Sequence, residues 1–213
     1  MKIKKITQLL ILISILAAIF DIARLDLWGT TDLLYLIWNL FLAWIPYIIS
    51  SYFIKKDIGA VRFSLFFILW ILVFPNAPYL VTDVLHIVSR APSLLWYDSL
   101  LFFFFGWIGL LLGTLSLFHI HQYFRSHLSY LISEIIIFVI CLISSFGIYL
   151  GRFERWNSWD IFFNPLQLMK HSFGVLIGLV HMETPLMFVV VFALFMYAVY
   201  KTVYVLVGEN YLG

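Results

Sequence analysis

The sequence predicts an all-α fold, a polytopic membrane helical bundle with about six transmembrane helices, and three observations lead to this prediction. Of the 213 residues 64% are apolar, only 11% are charged, and long apolar runs recur along the chain. An ordinary soluble domain is about 45–50% apolar and about 25% charged. A chain this apolar lacks the polar surface to cover a globule, which excludes a soluble enzyme, a disordered protein and a disulfide-built secreted module.

Six apolar runs approach the length of about 20 residues that a membrane-spanning helix needs. They cover residues 6–23, 33–53, 60–74, 94–118, 128–150 and 185–205. The third run is short, and we expect it to end at Pro75. A further apolar stretch, residues 173–180, is too short to span and predicts a re-entrant or interfacial segment. Because no linker is long enough to separate domains, we expect residues 1–213 to form one integral membrane domain.

The basic residues predict the orientation of the bundle. We interpret the first run as a membrane helix rather than a signal peptide, because no clear cleavage site follows it. Eight basic residues then fall on one side: Lys2, Lys4, Lys5, Lys55, Lys56, Arg62, Arg125 and Lys201. The other five are Arg24, Arg90, Arg152, Arg155 and Lys170. The positive-inside rule therefore predicts that both termini are cytoplasmic. Most acids fall at the opposite, outer ends of the spans.

The most distinctive segment follows the third run. Asn76 suits a helix N-cap and Pro78 is tolerated in a first turn. If residues 77–88 are α-helical, one polar stripe forms, opposite an apolar face, which predicts an outer interfacial helix. The stripe contains Asn76, Tyr79, Asp83, His86 and Arg90. The stripe either faces water and lipid headgroups, or Asp83 and His86 orient a proton-transferring imidazole or ligate a metal. Two ligands alone do not define a metal site, so the metal stays unknown.

A second polar segment, residues 147–160, joins the fifth span to an outer loop. Arg152 and Arg155 can hold an anionic headgroup, a phosphate or a carboxylate, because a guanidinium binds such groups with two hydrogen bonds. The alternative is that they pair with the nearby acids Glu154 or Asp160. Outside this segment, His171 and His181 are positioned to complete a cluster with Asp83, His86 and Asp160, although nothing in the sequence forces that geometry.

Several single residues inside the spans carry structural expectations. An amide within a span is costly unless it is paired, so Asn39 is expected to bond another helix. Pro46 is expected to kink its helix. Asp98 favours the first turn of the fourth span through the helix dipole. Glu134 is expected to snorkel or to pair with a histidine. Close helix packing is expected at Gly106, Gly109 and Gly113. A solvated loop is expected to contain His119, His121 and His127. Cys141 is expected to be a buried, inert thiol.

Three stretches make the chain similar to a known family. They are residues 38–46 (WNLFLAWIP), residues 74–83 (FPNAPYLVTD) and residues 147–160. These residues resemble the bacterial integral membrane family called domain of unknown function 1361. The resemblance implies a multi-helix bacterial membrane protein, and hence a place in the cytoplasmic membrane. It brings no reaction, substrate, cofactor or catalytic residue with it.

Three functions fit these residues. The first is an enzyme at the outer face that acts on a lipid or lipid-linked envelope substrate, with Asp83 or His86 as general base and Asp160 as its orienter or a metal ligand. Its substrate-binding residues would be Asn76, Tyr79, Asp98, Arg152, Arg155 and Asn157. The second is a membrane-complex partner or structural protein. The third is a small transporter subunit, suggested by the broken third span.

The expected partners follow from composition. They are membrane lipids, a lipid-like or anionic substrate and a second copy of the chain in a homo-oligomer. Nucleic acid is not expected, because the net charge is only +2 and the basic residues are scattered. No cofactor is indicated, and the cofactor stays unknown.

Overall fold

A computed structural model of the chain describes residues 2–29, 31–55, 59–89, 94–156, 160–179 and 183–208. Every regular element in these ranges is helical, which confirms the all-α prediction. The helices are α1 (Lys2–Trp28), α2 (Tyr35–Lys55), α3 (Ala60–Val73), α4 (Asn76–Tyr79), a 3-10 helix (Leu80–Ser89), α5 (Leu95–His127), α6 (Tyr130–Arg152), α7 (Asp160–Phe163), α8 (Pro165–Leu179) and α9 (Glu183–Gly208).

Six segments in the described ranges are long and apolar enough to cross a membrane, which confirms the predicted number. They are Lys5–Asp26, Tyr35–Tyr52, Ala60–Ile87, Leu95–His127, Tyr130–Arg152 and Pro185–Leu206. Large apolar side chains such as Leu12, Phe103 and Leu131 are exposed on their outer faces. A surface of this kind is stable in contact with lipid tails, so the fold is that of a polytopic membrane helical bundle.

The third span is longer than the sequence predicted, because the chain does not leave its helical course at Pro75. Phe74 and Pro75 both keep right-handed helical backbone angles. Proline fixes φ near the helical value and removes only one N–H donor. The Ala77 N–H donates to the Phe74 oxygen, one residue closer than in an α-helix, and the Tyr79 N–H makes an ordinary α-helical bond to the Pro75 oxygen. The span therefore continues through α4 and the 3-10 helix to Ile87.

Helix α5 is the centre of the bundle. One apolar cluster joins it to α1, α2 and α4, and includes Leu36, Leu80 and Phe105. A second cluster joins it to α3, α6 and α9, and includes Trp70, Ile137 and Met196. About half of the residues of α5 are buried, and both clusters pack against it, so the helices are arranged around it.

Glycines on α5 and α6 let the broken third span enter the bundle. A Cβ on Gly109 would lie 2.4 Å from the carbonyl oxygen of Ala77, and a Cβ on Gly106 would lie 3.3 Å from Cα of Val81. On the other side, a Cβ on Gly147 would lie 3.1 Å from Pro75. The expected close helix packing at Gly106 and Gly109 is confirmed.

Helix α8 corrects the predicted boundaries of the segment 173–180. The helix begins at Pro165 and ends at Leu179, so it is 15 residues long. It lies at the edge of the bundle against α7 and α9. Its apolar side chains at Leu166, Met169 and Phe173 are exposed. Residue 180 lies outside the described residues.

Candidate functional site: an arginine at the centre of a polar cluster

Arg152, the last residue of α6, organises a polar cluster at one end of the bundle. Its Nε donates to Thr82 Oγ1 at 2.9 Å, Nη1 contacts His86 Nε2 at 2.7 Å, and Nη2 donates to Asp83 Oδ1 at 2.5 Å. The guanidinium also lies 4.2 Å from the centre of the Tyr79 ring. We call Asn39, Tyr79, Thr82, Asp83, His86 and Arg152 the Arg152 cluster, and its side of the bundle the Arg152 end.

Asp83 is the buried anion of this cluster. It is completely buried, and its second oxygen accepts a hydrogen bond from Asn39 Nδ2 at 3.4 Å. A buried carboxylate is tolerated only when it is paired and hydrogen-bonded. Arg152 and Asn39 provide these partners from α6 and α2. The prediction that Asn39 bonds another helix is therefore confirmed.

The 3-10 helix explains why Asp83 and His86 reach the same arginine. This helix has three residues per turn, so side chains three apart lie directly above one another. Of the two alternatives left open for the stripe, exposure to water or headgroups does not hold for Asp83, which is buried in the bundle. The apolar side chains of Val84 and Leu85, by contrast, are exposed. The sequence suggested an α-helical period, whereas the ion pair with Arg152 determines which side is buried.

His86 is the exposed member of the cluster. An arginine side chain can only donate hydrogen bonds, so the contact with Arg152 makes His86 Nε2 an acceptor. A neutral imidazole then carries its proton on Nδ1. In this geometry the Nε2 lone pair is engaged, as are both carboxylate oxygens of Asp83. Neither residue is arranged as a free general base.

The remaining predicted site residues have other positions. Asn76 is not an N-cap but the first residue of α4, and its side-chain amide donates to the Val73 oxygen at 3.0 Å. It satisfies a carbonyl left without its usual donor near Pro75. Asp98 lies apart from the Arg152 cluster and pairs with Arg24. The Arg24–Asp98 distances are 2.6 Å (Nε–Oδ1) and 3.0 Å (Nη2–Oδ2).

Three further predicted residues lie in the loop after α6 or just beyond it. Arg155 is exposed and has a positive φ of 59°. Asp160 begins α7 and is half-buried, and it is not among the hydrogen-bond partners of Asp83. Asn157 lies outside the described residues, and so do Arg90 and His181.

A second small network lies beside the cluster. Trp156 Nε1 donates to His171 Nδ1 at 2.9 Å, and His171 Nε2 lies 3.4 Å from Glu154 Oε2. His171 therefore connects α8 to the end of α6 and is not bonded to Asp83. Arg152 does not form the suggested pair with Glu154 or Asp160. It pairs with Asp83 instead.

The opposite end of the bundle corrects the expectation of a histidine-rich solvated loop. Helix α5 continues to His127, so His119 and His121 are helical and buried, and only His127 is exposed. Glu134 does not pair with a histidine: it accepts hydrogen bonds from Lys201 and Tyr197, each at 2.7 Å. We call this side the Glu134 end.

Sequence reasoning missed the partners that come from distant segments. The pairing of Arg24 with Asp98 was one of them, although the sequence contains a signal: Thr7, Ser14 and Asp21 recur every seven residues and Arg24 follows three later, so they share one helix face. The buried residues of α1 recur at spacings of four and three, which marks a single packed stripe ending in two charged residues. This stripe consists of Leu10, Ser14, Ala17, Asp21 and Arg24. Within the described ranges, no three side chains of His, Cys, Asp or Glu come together as a metal site.

Comparison with known proteins identifies a family and no closer relative. No curated protein and no solved structure matches the chain significantly. A family model described as "Protein of unknown function (DUF1361)" matches residues 38–199, which is well over half of the chain. This match covers the Arg152 cluster and includes Glu134 and Tyr197 of the Glu134 end, whereas Lys201 lies just beyond it. The chain belongs to the DUF1361 family.

Proposed function

We propose that this protein binds the anionic headgroup of a membrane lipid or a lipid-linked envelope precursor at the Arg152 end. The observation that carries the proposal is the way Arg152 is held. Buried Asp83 and the hydroxyl of Thr82 fix the guanidinium at the end of a span, while the neighbouring His86 is exposed. An arginine fixed in this way at the end of a span is suited to recognising phosphate.

The hydrogen-bond count of Arg152 supports this role. A guanidinium has five N–H groups. Three of them are used by Thr82, Asp83 and His86, and Arg152 has no other hydrogen-bond partner among the described residues. Two N–H groups therefore remain for an oxygen of a phosphate or carboxylate. Exposed Arg155 follows three residues later and adds a second cation at this end of the bundle.

The proposed location follows from the basic residues. With both termini in the cytoplasm of a bacterial cell, the chain crosses the cytoplasmic membrane and the Arg152 end faces outward. An amphipathic ligand would then place its headgroup at the Arg152 cluster and its tails beside the apolar outer surface of the spans.

A second candidate function is an enzyme that acts on the same class of ligand. The observation in its favour is the contact between Arg152 and the exposed His86. An incoming anion competes for the Arg152 N–H groups, and losing that contact frees the Nε2 lone pair of His86 to act as a general base. Asp83 would then be a positioning residue, because its hydrogen bonds within the described part of the chain go to Arg152 and Asn39.

The test is lipid retention by the purified protein. The protein is reconstituted in mixed phosphatidylglycerol and phosphatidylcholine nanodiscs, and bound lipid is measured by native mass spectrometry after release. Arg155→Gln removes one exposed cation and is expected to lower phosphatidylglycerol retention about tenfold, the value of one charge-assisted hydrogen bond. Lys170→Gln is the matched control, since Lys170 is also an exposed cation at this end and should leave retention unchanged.

The same experiment separates the alternatives. Equal retention of both lipids by the wild type, or an equal loss in the two variants, would contradict the proposal and favour a partner or structural role. The enzyme candidate predicts, in addition, that His86→Gln retains lipid at the wild-type level but loses in vivo function.

A further inference from the structure

The Glu134 end contains an ionisable group that water can reach. Lys201 is 29% exposed, and its ammonium donates to Glu134 at 2.7 Å. The hydroxyl of Tyr197 donates to the other Glu134 oxygen. A carboxylate can accept about four hydrogen bonds, so Glu134 has acceptor capacity left.

Deeper in the bundle lies a histidine whose hydrogen bonding is incomplete. His121 is fully buried, its Nδ1 is bonded to the hydroxyl of Tyr200, and its Nε2 has no partner among the described residues. Leaving a buried polar atom unpaired costs about 1–3 kcal/mol. The charged groups that act on His121 are Glu134 on α6, Lys201 on α9 and Arg125 on its own helix.

Tyr200 also borders a small cavity at the centre of the bundle. The cavity has a volume of about 10 Å³, close to the minimum for one water molecule. Its polar lining comes from Tyr200 and Thr114, and Pro78 of the broken third span forms another wall. The Thr114 hydroxyl donates to the Leu110 oxygen at 2.6 Å, so its lone pairs can accept from a water molecule.

The broken third span runs from this cavity to the Arg152 end. Pro78 borders the cavity, and the next residue, Tyr79, lies against Arg152. Asp83 and exposed His86 follow on the same span. Ionisable residues within spans and interrupted helices are both features of ion and proton pathways in membrane proteins.

From this arrangement we propose a further activity, the conduction of protons through the bundle by way of the Tyr200 cavity, His121 and Glu134. The proposal does not depend on headgroup binding. Histidine and tyrosine suit such a path because each can accept a proton on one side and donate one on the other.

The transfer through the buried pair balances as follows. A hydronium ion in the cavity gives a proton to the Tyr200 oxygen and becomes water, while the proton that Tyr200 already carries moves to His121 Nδ1. The proton on His121 Nε2 leaves at the same time to the Glu134 carboxylate. Tyr200 and His121 keep their charges, and one proton has moved towards the Glu134 end. The reverse sequence moves a proton towards the Arg152 end.

The experiment measures proton flux directly. Purified protein is reconstituted into liposomes with trapped pyranine, a pH-sensitive dye, and a potassium gradient with valinomycin sets the membrane potential. Wild-type vesicles are expected to change internal pH faster than protein-free vesicles. Tyr200→Phe removes only one hydroxyl, and His121→Phe replaces the relay with an apolar ring, so both should return the flux to the protein-free rate.

His127→Phe is the matched control, because it is the same substitution on the same helix at an exposed position. It should keep the wild-type flux. The proposal is overturned if wild-type vesicles are no faster than protein-free vesicles, or if both His121→Phe and Tyr200→Phe conduct like the wild type. Should His121→Phe fail to fold, as judged by gel filtration in detergent, the Tyr200→Phe result decides alone.

Discussion

Replacing Gly109 with alanine should destabilise the bundle, because this glycine makes room for the backbone of the broken third span. The added Cβ would lie 2.4 Å from the Ala77 carbonyl oxygen and 2.9 Å from Leu80 Cβ. The closest of these contacts is with a backbone atom, which cannot rotate away as the end of a side chain can. The segment that carries Asp83 would have to move outward.

The expected magnitude combines two opposing effects. Overpacking a well-packed interior costs about 1–3 kcal/mol, and a backbone contact places Gly109→Ala at the upper end of that range. Alanine is favoured over glycine in a helix by about 1 kcal/mol. The free energy of unfolding should therefore fall by about 2 kcal/mol. Because Asp83 is on the displaced segment, its contact with Arg152 should also weaken.

The assay is equilibrium unfolding in detergent micelles titrated with sodium dodecyl sulfate, followed by circular dichroism. Gly113→Ala is the control: it is the same change on the same helix, but its Cβ would lie 3.4 Å from Ala77 Cβ and Pro78 Cδ, an ordinary contact. It should be neutral or stabilising by up to about 1 kcal/mol. Equal stabilities for Gly109→Ala and Gly113→Ala would refute the reasoning that α5 is shaped to receive the third span.

Two further predictions concern buried polar contacts and use the same unfolding assay. Arg24→Met leaves the Asp98 carboxylate buried without its cation, so we expect a loss of about 3–5 kcal/mol. Adding Asp98→Leu should restore most of it, and a double variant as unstable as the single one would show that the charge is not the cause. Ser116→Ala should cost about 1–3 kcal/mol, because the Ser116 hydroxyl accepts from Trp70 Nε1 at 2.8 Å and donates to the Pro46 oxygen at 2.9 Å. Ser64→Ala, at an exposed hydroxyl bonded only within α3, should cost far less, and similar losses in the two variants would contradict this assignment.

The architecture could be predicted from the sequence because lipid imposes a simple rule. A spanning segment must satisfy its own backbone and present apolar side chains, so the runs are visible in composition alone. The predicted ends of the spans were less accurate than their number. His119 and His121 were assigned to a loop because polar residues usually mark the end of a span. In the structure His119 is hydrogen-bonded to Ser50 and His121 to Tyr200. These hydrogen bonds allow both rings to stay buried within α5.

The candidate site could be predicted only in part. Asp83, His86 and Tyr79 were grouped correctly because they are close in sequence. Their contact with Arg152 was not predictable, since Asp83 and Arg152 are 69 residues apart. A spacing of three fits both α and 3-10 helices, so the sequence did not distinguish which face would be buried. Which face is buried depends on the residues that pack against it from other helices. A local sequence pattern does not contain this information.

The ion pairs also suggest how this chain selects which helices become neighbours. Apolar packing discriminates poorly in a membrane, because lipid tails are as apolar as leucine. A buried charge, in contrast, is unfavourable next to any neighbour except its counter-ion. Arg24 with Asp98 joins α1 to α5, Arg152 with Asp83 joins α6 to the 3-10 helix, and Lys201 with Glu134 joins α9 to α6. Each pair links segments that are far apart in the chain, so together they specify an arrangement that the apolar surfaces alone would leave open.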